Sequence, residues 1–545
     1  MGEMITINVD GVDREVDKDQ PLIEALGQAG APTPNFCYHP DLKVAGNCRI
    51  CLVEVEGPRG PALMISCHLR PAPGMKVRTE ASSEKVVKAR KGVMEFLLVN
   101  HPLDCPICDK AGECTLQEHY MTSGRHESRL PEEVEKAYKG GADHRFTDTK
   151  GVSRGGKHID LGPTIILDQE RCILCDRCTR FMRDVAGDEQ LYIAGRGDHA
   201  YITTFPGEPL DHAYDLNTTD ICPVGALTGK DFRFQQRVWF LKKTNSIAPD
   251  DSLGANLTIE HHRGKVWRLM PRRNPEVNKS WIHNETRLLY QELDRNRLTA
   301  GAINGAPATL GESMMAAGKA LAKAGRVALV ASGHLTCEDN AALLALAARL
   351  GEKAEVFAGS WLPIGEADGI ARSGDPVANR RALQLMGLPD NLDALVERAA
   401  EFDTLLVIGH DLWQAAPEKA QALEVIQERV VLDSWNNPSA KAATIVVPVR
   451  CWAEIRGTMI NCQDRIQMLN ACPVCINDEL EAVWQVLDRI SGHACDAPLA
   501  LASQTSVWAQ VQSRIAALAD VQYRHIGPLG LPLTVNAPSL VGAEA

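Results

Sequence analysis

The chain has 545 residues, of which 45% are hydrophobic and 23% are charged. This length exceeds what a single hydrophobic core serves, so we expect about two to four domains. A formal net charge of −12 without a basic stripe argues against nucleic acid as the main partner. The sequence has neither an apolar run of about 18 residues nor a secretory signal pattern, which favours a soluble, cytoplasmic protein without a membrane span of its own.

Residues 1–79 are predicted to form a small β-rich domain. Alternating apolar residues over 5–9 indicate a strand, Asp10-Gly11 indicates a hairpin turn, and a short helix is predicted over Pro21–Gly27. Four cysteines then follow with the spacing C-x10-C-x2-C-x15-C, namely Cys37, Cys48, Cys51 and Cys67.

This pattern of three thiolates in one loop and a distant fourth resembles the plant-type [2Fe–2S] ferredoxin arrangement. The plant loop is spaced C-x4-C-x2-C, and the spacing here is instead similar to that of the ferredoxin-like domain of respiratory complex I and of related hydrogenase diaphorases. The resemblance implies a β-grasp domain with one [2Fe–2S] cluster. A zinc ribbon is the alternative, but it prefers two CxxC pairs and only one is present in this region.

Residues 80–150 contain a second group of metal-binding residue types. A helix is predicted over Glu84–Val99, and the proline-broken loop behind it carries His101, Cys105, Cys108 and Cys114. One histidine and three cysteines in one loop also suit a structural zinc, so these residues alone leave both metals open. Directly behind a ferredoxin-like domain, the loop closely resembles the [4Fe–4S] loop with one histidine and three cysteine ligands in the complex I and hydrogenase family.

Residues 151–240 contain the bacterial ferredoxin signature with one omission. Three cysteines spaced C-x2-C-x2-C precede a distant Cys-Pro pair, which gives Cys172, Cys175, Cys178 and Cys222. The two-cluster signature has a fourth cysteine where this chain has Met182, and that cysteine serves a second cluster. A single [4Fe–4S] cluster in a ferredoxin-like domain is therefore implied.

The number of ligands agrees with three clusters. Eleven cysteines before residue 223, together with His101, supply twelve ligands, which is four for each cluster. Four nearby arginines would offset the negative charge of the thiolates and tune the reduction potentials, or would form an ordinary solvated face; they are Arg171, Arg177, Arg180 and Arg183.

Residues 241–300 resemble a domain that the same family uses for a further cluster, with ligands spaced C-x2-C-x3-C-x27-C. The residues at those positions here are Ala248, Asp251, Ala255 and His283. Alanine binds no metal, and the lone histidine is expected to be a packing or surface residue. We therefore predict a degenerate fourth-cluster domain that keeps its scaffold without its cluster.

Residues 301–545 are predicted to form an α/β domain behind an Ala/Gly/Pro-rich linker over 299–308. Strands are predicted at 326–331, 353–357, 404–408 and 430–432, with helices at 340–350 and 416–428. This alternation indicates a doubly wound parallel sheet. No GxGxxG follows these strands, so dinucleotide binding is not indicated.

Two segments of this last domain, Asp433–Pro438 and Ala453–Thr458, resemble the molybdopterin oxidoreductase core. The domain is much shorter than that core, and we interpret it as a truncated, cofactor-free remnant. This domain also contains four further cysteines, Cys451, Cys462, Cys472 and Cys475. They could form a further metal site, or they could simply pack as small apolar residues.

In their order and position, the three motifs resemble those of the large iron–sulfur subunit of NADH:quinone oxidoreductase, respiratory complex I. The resemblance implies a multidomain α+β and α/β protein with one [2Fe–2S] and two [4Fe–4S] clusters, and with no flavin or molybdenum on this chain. It implies an electron relay from a flavin subunit that oxidises NADH toward quinone, with no complete active site and no catalytic residue of its own. The implied partners are the flavin/NADH-binding subunit and other peripheral-arm subunits, which would hold it on the cytoplasmic face of the inner membrane.

Two other functions stay open at this point. An electron-transfer subunit of a NAD-linked hydrogenase or formate dehydrogenase shares residues 1–240, but it usually stops there or continues into a catalytic domain. A zinc-stabilised scaffold that docks partners would use the same cysteines without redox chemistry. A brown colour and EPR signals on reduction distinguish iron–sulfur clusters from zinc.

Overall fold

The structure is a computed structural model that describes residues 3–125, 156–197, 200–474, 476–495 and 497–535. The chain divides into two compact units, the first ending at Phe240 and the second beginning at Leu241. Within the described ranges, no helix is both long and apolar enough to cross a membrane.

The first unit begins with a five-stranded sheet. Its strands are β1 (Met4–Val9), β2 (Val12–Asp17), β3 (Leu52–Gly57), β4 (Gly60–Ile65) and β5 (Lys76–Arg78), in the order β2-β1-β5-β3-β4. The predicted hairpin is confirmed, since Asp10 and Gly11 take φ angles of 52° and 88° between β1 and β2. Helix α1 (Leu22–Gln28) buries Leu22 and Leu26 in the core of this sheet.

The rest of the first unit is made of short elements joined by long loops. Helix α2 (Glu84–Asn100) confirms the predicted helix, and the Ser83 hydroxyl caps it by accepting from the Val86 N–H. The other elements are α3 (Thr115–Ser123), β6 (Ile159–Asp160), β7 (Ile165–Leu167), α4 (Arg177–Phe181), β8 (Tyr192–Ala194), β9 (Tyr201–Thr203), α5 (Asn217–Ile221) and β10 (Leu227–Gly229).

Pairing between β7 and β10 brings two distant cysteines together. The strands are antiparallel, with Leu167 opposite Leu227. Cys172 follows β7 and Cys222 precedes β10, so both cysteines lie beyond the same end of the strand pair.

The second unit begins with the segment that is predicted to be a degenerate fourth-cluster domain. Strands β11 (Lys242–Ile247), β12 (Asn256–His262) and β13 (Lys265–Pro271) form an antiparallel sheet in chain order, and helix α6 (Asn284–Leu288) follows. The hairpin of β12 and β13 is the one that the sequence predicts. The loop between β11 and β12 carries three of the four former ligand positions.

A seven-stranded sheet forms the centre of the second unit. Its strands are β14 (Gly301–Ile303), β15 (Ala306–Ala308), β16 (Val327–Val330), β17 (Ala354–Phe357), β18 (Thr404–Ile408), β19 (Glu428–Asp433) and β20 (Ile445–Pro448). The order is β15-β14-β20-β19-β18-β16-β17, and the run from β20 to β17 is parallel. The chain steps from β16 to β17 and then to β18 on the other side of β16, which confirms the doubly wound prediction.

Helices pack around this sheet, and a second sheet of three strands follows. The helices are α7 (Leu310–Lys323), α8 (Cys337–Leu350), α9 (Arg380–Leu385), α10 (Leu392–Glu397), α11 (Leu412–Ala415), α12 (Pro417–Gln421), α13 (Pro438–Ala442), α14 (Val483–Ala494) and α15 (Gln504–Arg514). The strands are β21 (Gly457–Ile460), β22 (Arg465–Leu469) and β23 (Leu531–Pro532).

Two details of the sequence prediction are wrong. The expected linker over 299–308 contains the hairpin of β14 and β15, because β14 finds hydrogen-bond partners on β20 that composition does not reveal. The expected helix over 416–428 is broken: α12 ends at Gln421, a single 3₁₀ turn covers Ala422–Val425, and β19 begins at Glu428.

Candidate metal centres

The first site consists of four cysteines that converge in the structure. Cys37, Cys51 and Cys67 are buried, and Cys48 is partly exposed. The thiol of Cys37 lies within hydrogen-bonding distance of the thiols of Cys48 and Cys67. The thiol of Cys67 also lies within hydrogen-bonding distance of the Cys51 thiol. The structure therefore brings together all four residues that the sequence predicts for this site.

Hydrogen bonds within the first site favour the charged form of two of these cysteines. Contacts with the thiols of Cys48 and Cys67 lower the pKa of Cys37, and the backbone N–H groups of Asn47 and Cys48 also donate to its sulfur. Contact with the Cys67 thiol lowers the pKa of Cys51 to about 6. The same contacts raise the pKa of Cys48 and Cys67. Since the thiolate is the form that binds metal, a positively charged occupant is needed to ionise all four sulfurs.

The second site lies in the loop between α2 and α3. His101 is buried directly after α2, Cys105 is partly exposed, and Cys108 and Cys114 are buried. The charge of Cys105 acts on Cys108, and the charge of Cys108 acts on Cys114, which places the three sulfurs in one neighbourhood. Burial raises the pKa of Cys114 to about 11, so a positively charged occupant is needed to keep it as a thiolate.

Residues from later in the first unit fix the loop of the second site. Arg171 donates to both carboxylate oxygens of Asp104, at 3.2 Å and 2.8 Å. The N–H and the hydroxyl of Thr115 both donate to the carbonyl oxygen of Pro223, at 3.1 Å and 3.0 Å. Pro223 directly follows a cysteine of the third group, so the two loops are joined by hydrogen bonds.

Gly225 lies directly against the Cys108 sulfur of the second site. A Cβ atom at this position would lie 2.3 Å from the Sγ of Cys108 and 3.2 Å from the Cβ of Lys110. A side chain there would force the Cys108 sulfur out of its position. Sequence analysis missed this residue, and its only signal is its place three residues after Cys222, in the segment Cys-Pro-Val-Gly.

The third site is a small cavity with a mostly apolar lining. Four buried cysteines line it, namely Cys172, Cys175, Cys178 and Cys222. Most of the remaining wall is apolar, with Leu167, Ile173, Ile202, Val224, Ala226 and Leu227. Leu174 and Asp176 take left-handed backbone conformations, with φ of 51° and 64°, and so turn the chain between the cysteines.

The donors of these sites suit iron–sulfur clusters better than single metal ions. Burial raises the pKa of Cys175 to about 12 and also raises that of Cys178, so thiolates at the third site need positive charge in the cavity. Among the residues that the structure describes, no group of three or more His, Cys, Asp or Glu side chains is arranged to hold one metal ion. Four cysteines around an apolar space match the ligands of a [4Fe–4S] cluster.

The third site lies next to both other sites. The charge of Cys222 acts on Cys114 of the second site. On the other side, Arg180 is buried and donates to the carbonyl oxygens of Cys37 and Lys43 in the loop of the first site. The third site therefore connects the first and second sites within one compact unit.

The positions of the lost fourth site are filled by ordinary packing and hydrogen bonds. The Ala248 N–H donates to the Ala255 carbonyl at 2.8 Å, and both residues belong to an apolar core. Asp251 accepts from the N–H and the hydroxyl of Ser373, at 2.9 Å and 2.8 Å. The Nδ1 atom of His283 accepts from the backbone two residues later and so caps α6.

In the part of the chain that the structure describes, the later cysteines pack in an apolar core or hydrogen-bond singly. Cys451 and Cys472 lie in the same apolar core as the two alanines of the lost site, and burial raises the pKa of Cys472 to about 12. Cys462 hydrogen-bonds to Ser252, and Cys475 lies outside the described residues.

Family models match successive parts of this chain. The matches are a 2Fe-2S iron-sulfur cluster binding domain at residues 2–82, the NADH-ubiquinone oxidoreductase-G iron-sulfur binding region at 90–129, the ferredoxin-like domain of NADH-quinone oxidoreductase subunit 3 at 162–228, and the NADH-ubiquinone oxidoreductase NDSU1/NuoG-like 4Fe-4S domain at 241–291. The last model matches where the expected ligand positions hold two alanines, which agrees with a scaffold that persists without its cluster.

Curated relatives carry consistent names. The chain is 42% identical over 304 residues to the mitochondrial NADH dehydrogenase (ubiquinone) iron-sulfur protein 1 of Solanum tuberosum, which covers 56% of this chain and 38% of the relative. It is 42% identical over 295 residues to the mitochondrial NADH-ubiquinone oxidoreductase 78 kDa subunit of Neurospora crassa, which covers 54% of this chain and 37% of the relative. These alignments therefore span less than two fifths of the relatives.

A solved structure, the NAD⁺-reducing [NiFe]-hydrogenase in the H₂-reduced state, aligns with 43% of this chain and 91% of its own, at 30% identity and a TM-score of 0.34.

The folds and cysteine-rich sites of the first unit define an iron–sulfur protein with a 2Fe–2S domain and 4Fe–4S-binding domains. Over its first 291 residues, the chain is similar to the large iron–sulfur subunit of NADH:quinone oxidoreductase, the family that its motifs resemble.

Proposed function

We propose that this chain is an electron-relay subunit of an NADH:quinone oxidoreductase and carries electrons from a flavin subunit toward quinone. The observation that carries this proposal is the placement of three thiol-rich sites in one compact unit. The third site lies within electrostatic reach of the second and is joined to the first by hydrogen bonds from Arg180. Such a row of redox sites, held in fixed positions by the protein, is what a relay requires.

Each site is assigned one cluster with four ligands. Cys37, Cys48, Cys51 and Cys67 would hold [2Fe–2S]; His101, Cys105, Cys108 and Cys114 would hold one [4Fe–4S]; and Cys172, Cys175, Cys178 and Cys222 would hold the other. When bound, the clusters supply one-electron redox chemistry. The chain fixes their positions, excludes water by burying most of the sulfurs, and tunes them through N–H donors and nearby arginines.

A relay needs a donor and an acceptor on other chains. The names of the relatives place those proteins in NADH dehydrogenases and NADH-ubiquinone oxidoreductases, which are assemblies of several subunits. We infer that this chain likewise takes electrons from a flavin/NADH-binding subunit and contacts other peripheral-arm subunits. Attachment to the cytoplasmic face of the inner membrane would then depend on those partners.

Metal analysis of the anaerobically purified full chain tests the cluster assignment. One [2Fe–2S] and two [4Fe–4S] clusters predict about ten iron atoms per chain, no stoichiometric zinc, and three EPR signals on stepwise reduction. About fourteen iron atoms would show that another cluster binds outside these sites. Zinc in place of iron, with no EPR signal, would establish a scaffold and refute the relay.

The isolated chain is also expected not to oxidise NADH. No GxGxxG follows a strand of the parallel sheet, and without a bound flavin there is no group to accept hydride from NADH. The measurement is NADH-dependent reduction of an artificial acceptor by the iron-loaded chain, compared with the same chain after its flavin-containing partner is added. NADH oxidation by the chain alone would contradict a relay function.

A further inference from the structure

Arg177 lies between the first and third sites. It begins α4, the helix that also carries Cys178 of the third site. Its guanidinium donates to the carbonyl of Ile221 at 3.1 Å, next to the last cysteine of the third site. It also donates to the Asn35 side chain at 2.9 Å and to the Tyr38 carbonyl, on either side of Cys37 in the first site.

The charges around Arg177 come from both sites. The charges of Cys175 and Cys222 from the third site act on this guanidinium, as does the charge of Cys37 from the first site. One fixed cation is therefore within electrostatic reach of sulfur ligands of both sites. A charge held at a partly buried position interacts more strongly than the same charge in water.

The other arginines of this region are already paired with carboxylates. Arg171 binds Asp104 and Asp168, Arg180 lies 3.7 Å from Asp176, and the exposed Arg183 binds Asp184. Among the residues that the structure describes, no carboxylate forms an ion pair with Arg177; its hydrogen-bond acceptors are two carbonyls and one amide. Its positive charge is thus left to balance the sulfur ligands.

We propose that Arg177 is the shared counter-charge of the first and third sites and sets the reduction potentials of both. The proposal rests on the cluster assignment given above. Reduction adds one electron to a site, with no bond made or broken, and the fixed cation stabilises the added negative charge. Because the same cation faces both sites, an electron can pass between them without losing this stabilisation.

The test is an EPR-monitored redox titration of the iron-loaded full chain and three variants. Arg177→Gln removes the charge but keeps a hydrogen-bond donor, and Arg177→Lys keeps the charge. Arg183→Gln is the matched control, because it removes a surface charge from the same segment. Arg177→Gln is expected to lower the midpoint potentials of the first and third clusters and to leave the second unchanged. The other two variants should titrate like the wild type.

Other outcomes overturn the proposal. If Arg177→Lys lowers the potentials as much as Arg177→Gln, the hydrogen bonds matter and the charge does not. If Arg177→Gln shifts only one cluster, the counter-charge is not shared, and if it loses iron from either site, Arg177 is a structural clamp. The wild-type titration separates these results from failure of the proposed function, because absence of three clusters there would refute the cluster assignment itself.

Discussion

Gly225→Ala is expected to remove the second cluster and to spare the first and third. The new Cβ would lie 2.3 Å from the Cys108 Sγ, far inside van der Waals contact, so the sulfur must leave its position. The φ angle of Gly225 lies outside the left-handed region, so the backbone itself accepts alanine. The iron content should fall from about ten to about six atoms per chain, with loss of one EPR signal.

Gly92→Ala is the matched control for this variant. Gly92 lies in α2 with open space around its Cα, so alanine meets nothing there and should stabilise the helix by about 1 kcal/mol. Its iron content and spectra should equal those of the wild type. Retention of all three signals in Gly225→Ala would show that the Cys108 sulfur does not face Gly225, and the assignment of Cys108 as a ligand would then need revision.

The cysteine groups are predictable from sequence because each is mostly local. Ligand spacing alone separates the three groups, and the structure brings the four cysteines of the first and third groups together. The contact between Gly225 and Cys108 is not predictable in this way, since the two residues belong to different motifs that meet only in the folded chain. The role of Arg177 is hidden for the same reason, because its partners lie on both sides of Cys37.

In the second unit, strands that are apolar along their whole length are predictable from sequence. Segments that become strands only by pairing with another strand are not. Thr404–Ile408 is buried along its whole length, and its predicted bounds agree with β18. Residues 301–308 carry no such pattern, and pairing with β20 makes them strands. The resemblance to the family's ligand spacing likewise places Asp251 at an expected ligand position, but only the structure shows that it hydrogen-bonds to Ser373.

His101→Cys is expected to keep the second cluster and lower its reduction potential. A neutral imidazole is replaced by a negative thiolate, so the reduced state gains a repulsive charge. Rieske centres show the same relation in the opposite direction, because imidazole ligands there raise the potential. His101→Ala should instead leave one iron without its ligand and make the cluster labile. Redox titration followed by EPR, with iron analysis over time, measures both effects.

His525→Cys is the control for the added thiol, since His525 is exposed in the second unit and far along the chain from all three sites. It should leave all three midpoint potentials unchanged. A zinc site at His101 would predict no EPR change in any of these variants. Three unchanged potentials in His101→Cys would mean that His101 only packs behind α2. The fourth ligand would then have to be another residue, because Cys105, Cys108 and Cys114 supply only three.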